Sequence, residues 1–191
     1  MIDKATVEEL SDLSLTMFRK NFFGIYHGSI SAKLDQDSFL INTNDAIFDR
    51  MTPNSFCTLY LNKQDYRWKM ASMESHIHAT IYTNIHEAKY IAFGMPIYTT
   101  AYTFDHESII FEDFFGRMTF GEIPIYDPGD SETWYTRNAL EITKFLKSSA
   151  KGIMVIKGVG AYVYDRDVHE LVKKIAILEN SCRLLSIKNS F

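Results

Sequence analysis

The sequence predicts a layered α/β domain in which helices cover a mixed or antiparallel sheet. Three observations carry that reading. Apolar residues recur at spacings of three and four in several separate segments, as one face of a helix requires. Short runs rich in β-formers stand between those segments. Turn-forming residues join some of these runs directly, as in hairpins, and packed layers of the two element types follow.

The elements come in this order. Thr6-Val7-Glu8-Glu9 has the spacing of a capping box, in which a hydroxyl and a carboxylate satisfy the free amides of a helix start. Val7, Leu10, Leu13 and Met17 follow at helical spacing, so the chain opens on an amphipathic helix. Residues 22–33 favour β-structure, Asp35-Gln36-Asp37 forms a turn, and residues 38–43 alternate like a strand, which together read as a hairpin. Thr52-Pro53-Asn54-Ser55 is a turn before a strand over 56–61.

Residues 72–86 read as a helix capped by Ser72, with Glu74 in its first turn. Glu74, His78, Ile81, Tyr82 and Ile85 share one stripe of it. A short buried strand over 90–93 precedes a helical turn after Pro96 that carries Tyr98 and Ala101, and 109–125 is of mixed loop and strand character. Asp130 or Ser131 caps a helix with Tyr135, Ala139, Ile142 and Leu146 on one face. Strands over 153–156 and 161–164 flank Lys157-Gly158-Val159-Gly160, a tight hairpin connection. Asp165 or Asp167 opens a last helix whose core stripe is Val168, Leu171, Ile175, Leu178, Cys182 and Leu185.

Composition narrows the function classes. The chain has 191 residues, within the roughly 100 to 200 usual for one domain, and no linker or repeat divides residues 1–191. With 14 Phe, 11 Tyr and 2 Trp it has the material for a core, which disfavours disorder. A net charge of -4 without a basic stripe predicts no nucleic-acid partner, and the lysines at 144–151 and 173–174 read as solvated faces. Two distant cysteines, Cys57 and Cys182, make no disulfide framework. The opening residues do not read as a secretory leader, and no run approaches the 18 or so apolar residues of a membrane span, so a soluble cytoplasmic protein is expected.

Glu74 is the first candidate for chemistry, because a carboxylate beside a helix start that can hold an anion makes a sensible acid/base and phosphate pair. Acidic first turns are also common, and locally a solvated glutamate is the stronger reading. His76 and His78 form H-x-H, but on a helix they diverge by about 200 degrees and do not chelate. His78, in line with Glu74 and Tyr82, reads as a packed, hydrogen-bonded histidine. The other histidines lack the spacing of a zinc site. Gly158-Val159-Gly160 lacks the lysine and hydroxyl of a nucleotide loop.

Taken in order, Gly28-Ser29-Ile30-Ser31, Thr52-Pro53-Asn54-Ser55, Ser72-Met73-Glu74 with His78 and Tyr82, Pro96-Ile97-Tyr98-Thr99-Thr100-Ala101, Tyr126 before Gly129, and Gly160 ahead of a helix with Glu179 form a more specific pattern. The chain resembles the class II aldolase/adducin family over about residues 8 to 186, best over 74 to 101, where no gap is needed. The resemblance implies a three-layer fold with a central, mostly antiparallel or mixed sheet. It implies phosphate binding by Ser29, Asn54, Ser55 and Ser72, with Met73 in place of a second serine. It implies an acid/base role for Glu74 and a proton-donor role for Tyr126. It also implies assembly as a homotetramer.

At the positions of the family's three zinc-binding histidines the chain carries Phe93, Met95 and Val159. Aldol cleavage leaves a carbanion that zinc stabilises as a Lewis acid. Phe and Val do not ligate, and a thioether suits soft copper rather than zinc. No cofactor is therefore expected, although zinc serves the metal-binding members. A lysine Schiff base is the alternative electron sink, and Lys157 lies near the third position, although nothing in the sequence aims it inward. Three readings follow: a degenerate family member that binds a small phosphorylated metabolite or a protein partner; an active sugar-phosphate aldolase or epimerase with Glu74 as acid/base and a non-standard or absent metal; and a structural oligomer subunit using the aromatic segment 111–120.

Overall fold

Strand geometry sends successive side chains to opposite faces, and here both faces are apolar. The structure, a computed structural model, describes residues 4–189. The strands are β1 (Ser29–Lys33), β2 (Ser38–Asn42), β3 (Phe56–Tyr60), β4 (Tyr90–Gly94), β5 (Ser108–Ile110), β6 (Glu122–Tyr126), β7 (Ile153–Ile156) and β8 (Gly160–Asp165). They form one sheet in the order β3-β2-β1-β4-β8-β7-β6-β5. Neighbours are antiparallel except β6 and β7, which run parallel.

Ile153 and Val155 of β7, and Ala161 and Val163 of β8, enter one core with α1 (Lys4–Arg19) and α6 (Val168–Lys188). Met154 and Ile156, with Tyr162, enter the other core with α2 (Ser75–Asn84) and α5 (Ser131–Ser148). The result is three layers, helix on sheet on helix, as expected. Two short helices complete the chain, α3 (Ile97–Tyr102) and α4 (Phe114–Thr119).

The hairpins at 29–42 and 153–165 form as the turns predict. The stripe of α6 from Val168 to Leu185 is buried throughout, and Asp167 caps the helix by accepting from the amides of His169 (2.8 Å) and Glu170 (3.1 Å). Four details differ. Helix α1 already includes Lys4, so Thr6 lies inside it and is no cap. Helix α2 starts three residues after Ser72, and Glu74 is its N-cap residue rather than part of the first turn. On α5 the buried aromatic is Trp134, whereas Tyr135 is 77% exposed. The aromatic segment 111–120 splits: Phe111 and Phe120 pack together in the core, while Phe114, Phe115 and Met118 of α4 face outward.

Candidate functional site

The α2-facing side of β1 is made of serines, and α2 answers with polar groups. Ser29 Oγ lies 2.8 Å from His78 Nε2, and Ser31 Oγ 2.6 Å from His78 Nδ1. Ser31 Oγ also meets the Tyr82 hydroxyl at 2.7 Å. All four side chains are buried, and every polar atom of the imidazole is used, as a buried ring requires. Burial pulls the His78 pKa down to about 3, so the ring is neutral at physiological pH. The packed, hydrogen-bonded histidine expected from the stripe is what the fold contains.

Beside this network, at the start of α2, the end of β2 is tied to the turn that carries Glu74. The Ser72 amide donates to the Asn42 carbonyl at 2.9 Å. Asn42 Oδ1 accepts from the Ile30 amide at 2.9 Å, which holds β1 and β2 in place. Ser72 Oγ accepts from the Glu74 amide at 3.3 Å, so Ser72 caps the turn ahead of the helix. A cleft of about 340 Å³ opens here, within the size range of small-molecule sites. Asn42, Thr43 and Asn44 form one wall, and Ser72, Met73 and Glu74 another. Phe93 of β4 lines it as well, together with Tyr26, His27 and Gly28. Gly28 has φ 138°, and a Cβ there would strike the Phe23 ring, so the chain passes this point only as glycine.

Glu74 is the most deeply held ionisable group of the cleft. Its Oε2 accepts a hydrogen bond from the hydroxyl of Tyr162 on β8. Burial raises the Glu74 carboxyl above its ordinary value, and the tyrosine's donation opposes that rise. Tyr162 is pushed far above the usual phenol range, by burial first and then by the charge and hydrogen bond of Glu74, so it stays protonated. The Tyr162 ring stacks on Phe93 with centroids 4.6 Å apart.

The predicted site residues separate into two groups. Ser72 and Glu74 line the cleft together. Ser29 is next to it in sequence, but its hydroxyl is turned into the α2 layer toward His78. Asn54 is exposed on the 3₁₀ turn Pro53–Ser55, and Ser55 stands behind the cleft, where its carbonyl accepts from the Thr43 amide at 2.8 Å. The loop that reaches the cleft is Asn42-Thr43-Asn44. Its position directly after a strand was the signal that would have found it. Tyr126 packs between Trp134 and Phe145 and donates to Glu141 Oε2 at 2.5 Å, not to a group of the cleft. The tyrosine that reaches Glu74 is Tyr162, which strand alternation placed on the α2 face. Lys157 lines no part of the cleft.

Phe93 is stacked on Tyr162, Met95 is half exposed, and Val159 packs against the α2-side core. These three side chains offer one thioether and no hard donor, so they do not fit a zinc ion. Among the described residues no cluster of three or more His, Cys, Asp or Glu side chains is placed to hold a metal ion. Glu179, the buried acid of α6, is occupied elsewhere. It accepts from the Tyr98 and Thr99 amides at 2.9 and 2.8 Å and from the Thr99 hydroxyl at 2.8 Å, which caps α3.

Residues 8–186 match the sequence profile of the class II aldolase and adducin N-terminal domain, and the chain belongs to that family. Among solved structures it is similar to the L-fuculose-1-phosphate aldolase of Thermus thermophilus, with TM-score 0.85 and 19% identity over 96% of this chain and 93% of that one. It is also similar to the sugar-phosphate aldolase of Thermotoga maritima, with TM-score 0.75 and 16% identity over 98% and 96% of the two chains. The L-fuculose 1-phosphate aldolase of Glaciozyma antarctica gives TM-score 0.74 and 14% identity over 98% and 74%. No curated protein sequence matches the chain. At these identities the structural likeness defines the fold, which is that of the class II aldolases.

Proposed function

We propose that this chain binds a small phosphorylated hydroxy-carbonyl metabolite in the cleft of Ser72 and Glu74 and has no zinc-dependent aldolase mechanism. The observation that carries this reading is the pairing of an intact cleft with a lost donor set. Glu74 is held by Tyr162 at the mouth of α2, while the family's ligand positions carry Phe93, Met95 and Val159. The side-chain amide of Asn44 and the hydroxyl of Ser72 supply hydrogen-bonding groups for a polyhydroxylated ligand, while the Asn42 amide is used within the protein. No Lys or Arg lines the cleft, so a phosphate there would rely on neutral donors. The solved structures most like this fold include proteins described as sugar-phosphate aldolases, which supports the ligand class.

The same reading takes the protein as a cytoplasmic homotetramer. Two features support it: both cysteines are free and buried, and α4 presents Phe114, Phe115 and Met118 to the outside. No helix among the described residues is long and apolar enough to cross a membrane.

The test is calorimetric titration with L-fuculose 1-phosphate and with dihydroxyacetone phosphate, in the presence and absence of zinc. Binding that is independent of zinc, and is weakened about tenfold or more by Ser72→Ala, is the expected result. Zinc-dependent cleavage of L-fuculose 1-phosphate would overturn the reading. Turnover without metal that disappears in Glu74→Gln would favour the enzyme reading, with Glu74 as acid/base.

A further inference from the structure

We propose that Tyr162 is a positioning residue of the cleft: its hydroxyl fixes Oε2 of Glu74 so that Oε1 is presented as an acceptor to a ligand hydroxyl. The two carboxylate oxygens are not equivalent in this fold. Oε2 takes the hydrogen bond from Tyr162, while Oε1 has no hydrogen-bond partner among the described residues and is not sealed from the cleft that Glu74 lines. An ionised carboxylate accepts only, with about four lone-pair directions, so an open Oε1 calls for a donor.

Tyr162 is well built for this task. It projects from β8, whose partner β4 pairs Phe93 with Tyr162 across the sheet, and the two rings stack. That stack confines the phenol, so its hydroxyl is aimed without help from a flexible loop. The remaining side chains around the carboxylate do not compete for the role. The other titratable groups lining the cleft are Tyr26 and His27, both exposed, and no lysine or arginine lines it. A cleft with one anchored carboxylate and no cation repels a phosphate from that end. The ligand class is therefore one whose hydroxyl end meets Glu74 and whose anionic group, where it has one, lies away from that carboxylate.

This inference deepens the proposed function and rests on the same cleft, so it is tested in the ligand-free protein, where a failure to bind sugar phosphates has no influence. Glu74 Cδ is followed by carbon-13 NMR against pH in the wild type and in Tyr162→Phe, which keeps the ring stack and removes the donor. The expected result is an upward move of the Glu74 midpoint by about one pH unit, because the lost donor favoured the charged form. Tyr126→Phe, which touches Glu141 instead, should leave it in place. A second readout covers the case in which Tyr162→Phe does not fold. In the wild type, the Tyr162 Cζ resonance should report the Glu74 midpoint through the shared hydrogen bond. An unmoved Glu74 midpoint in a folded Tyr162→Phe protein, or a Tyr162 Cζ that does not respond while Glu74 titrates, overturns the proposal.

Discussion

Two ionisable side chains withdrawn from water stand a turn apart at the start of α2, and they act on stability with opposite signs. Glu74 has its carboxyl raised by burial, so the folded state prefers the protonated form and its contribution diminishes as pH rises out of the ordinary carboxylate range. Glu74→Gln keeps an acceptor for Tyr162 and removes the charge. It should raise Tm at pH 7 by about 2–4 °C, equivalent to roughly 1 kcal/mol in a chain of this size, and have little effect at pH 4. Calorimetry at the two pH values checks this.

His78 is the reverse case. With its folded value near 3, the unfolded chain takes up a proton first as pH falls below the ordinary histidine range. His78 thus withdraws about 1.4 kcal/mol of stability per pH unit between roughly pH 6 and 3. Nitrogen-15 spectra should show its ring still neutral at pH 4.5, and a titration near the ordinary histidine value would contradict the packed network with Ser29 and Ser31. At this scale the sequence was informative where neighbours are local. The stripe on α2 identified His78 as packed, and Ser72 and Glu74 fall together in the cleft. Tyr162 could not be read the same way, since it meets Glu74 across 88 positions and only the packing of α2 on the sheet brings them together.

The elements themselves were legible wherever hydrophobic period and a turn or cap agreed, as in α6 with Asp167 and the hairpin from β7 to β8. That hairpin holds the most constrained backbone in the sheet. Gly160 has φ 134°, and a Cβ there would be driven into the Gly94 carbonyl oxygen on β4. Gly160→Ala should cost about 2 kcal/mol or more and loosen the strand that aims Tyr162, visible as a lower urea midpoint. Where period alone guided the reading, neighbouring residues could be exchanged. Tyr135 and Trp134 are one step apart on α5, and the packing of Trp134 beside Tyr126 decides which of them is buried. Thr52-Pro53-Asn54-Ser55 looks like an anion loop, yet it supports Thr43 from behind, and the strand-end loop Asn42-Thr43-Asn44 reaches the cleft.

For the whole molecule, the fold is that of the class II aldolases with both helical layers present, and the proposed departure is confined to one corner of it. On that reading, three apolar or weakly ligating side chains stand where the family's metal chemistry would need hard donors, while Glu74, whose cleft Phe93 lines, has a phenol partner. On the proposed reading, the outward aromatic face of α4, with Phe114, Phe115 and Met118, meets a second copy of the chain. Sedimentation velocity at micromolar concentration should give a tetramer, and Phe115→Ser should shift the distribution toward smaller species.

The central claim concerns metal, and metal content tests it most directly. Inductively coupled plasma mass spectrometry on untagged protein, purified without chelator, should find zinc, cobalt, manganese and iron all well below one equivalent per chain. A near-stoichiometric amount of any one of them would contradict the account, because it would require a ligand set other than Phe93, Met95 and Val159.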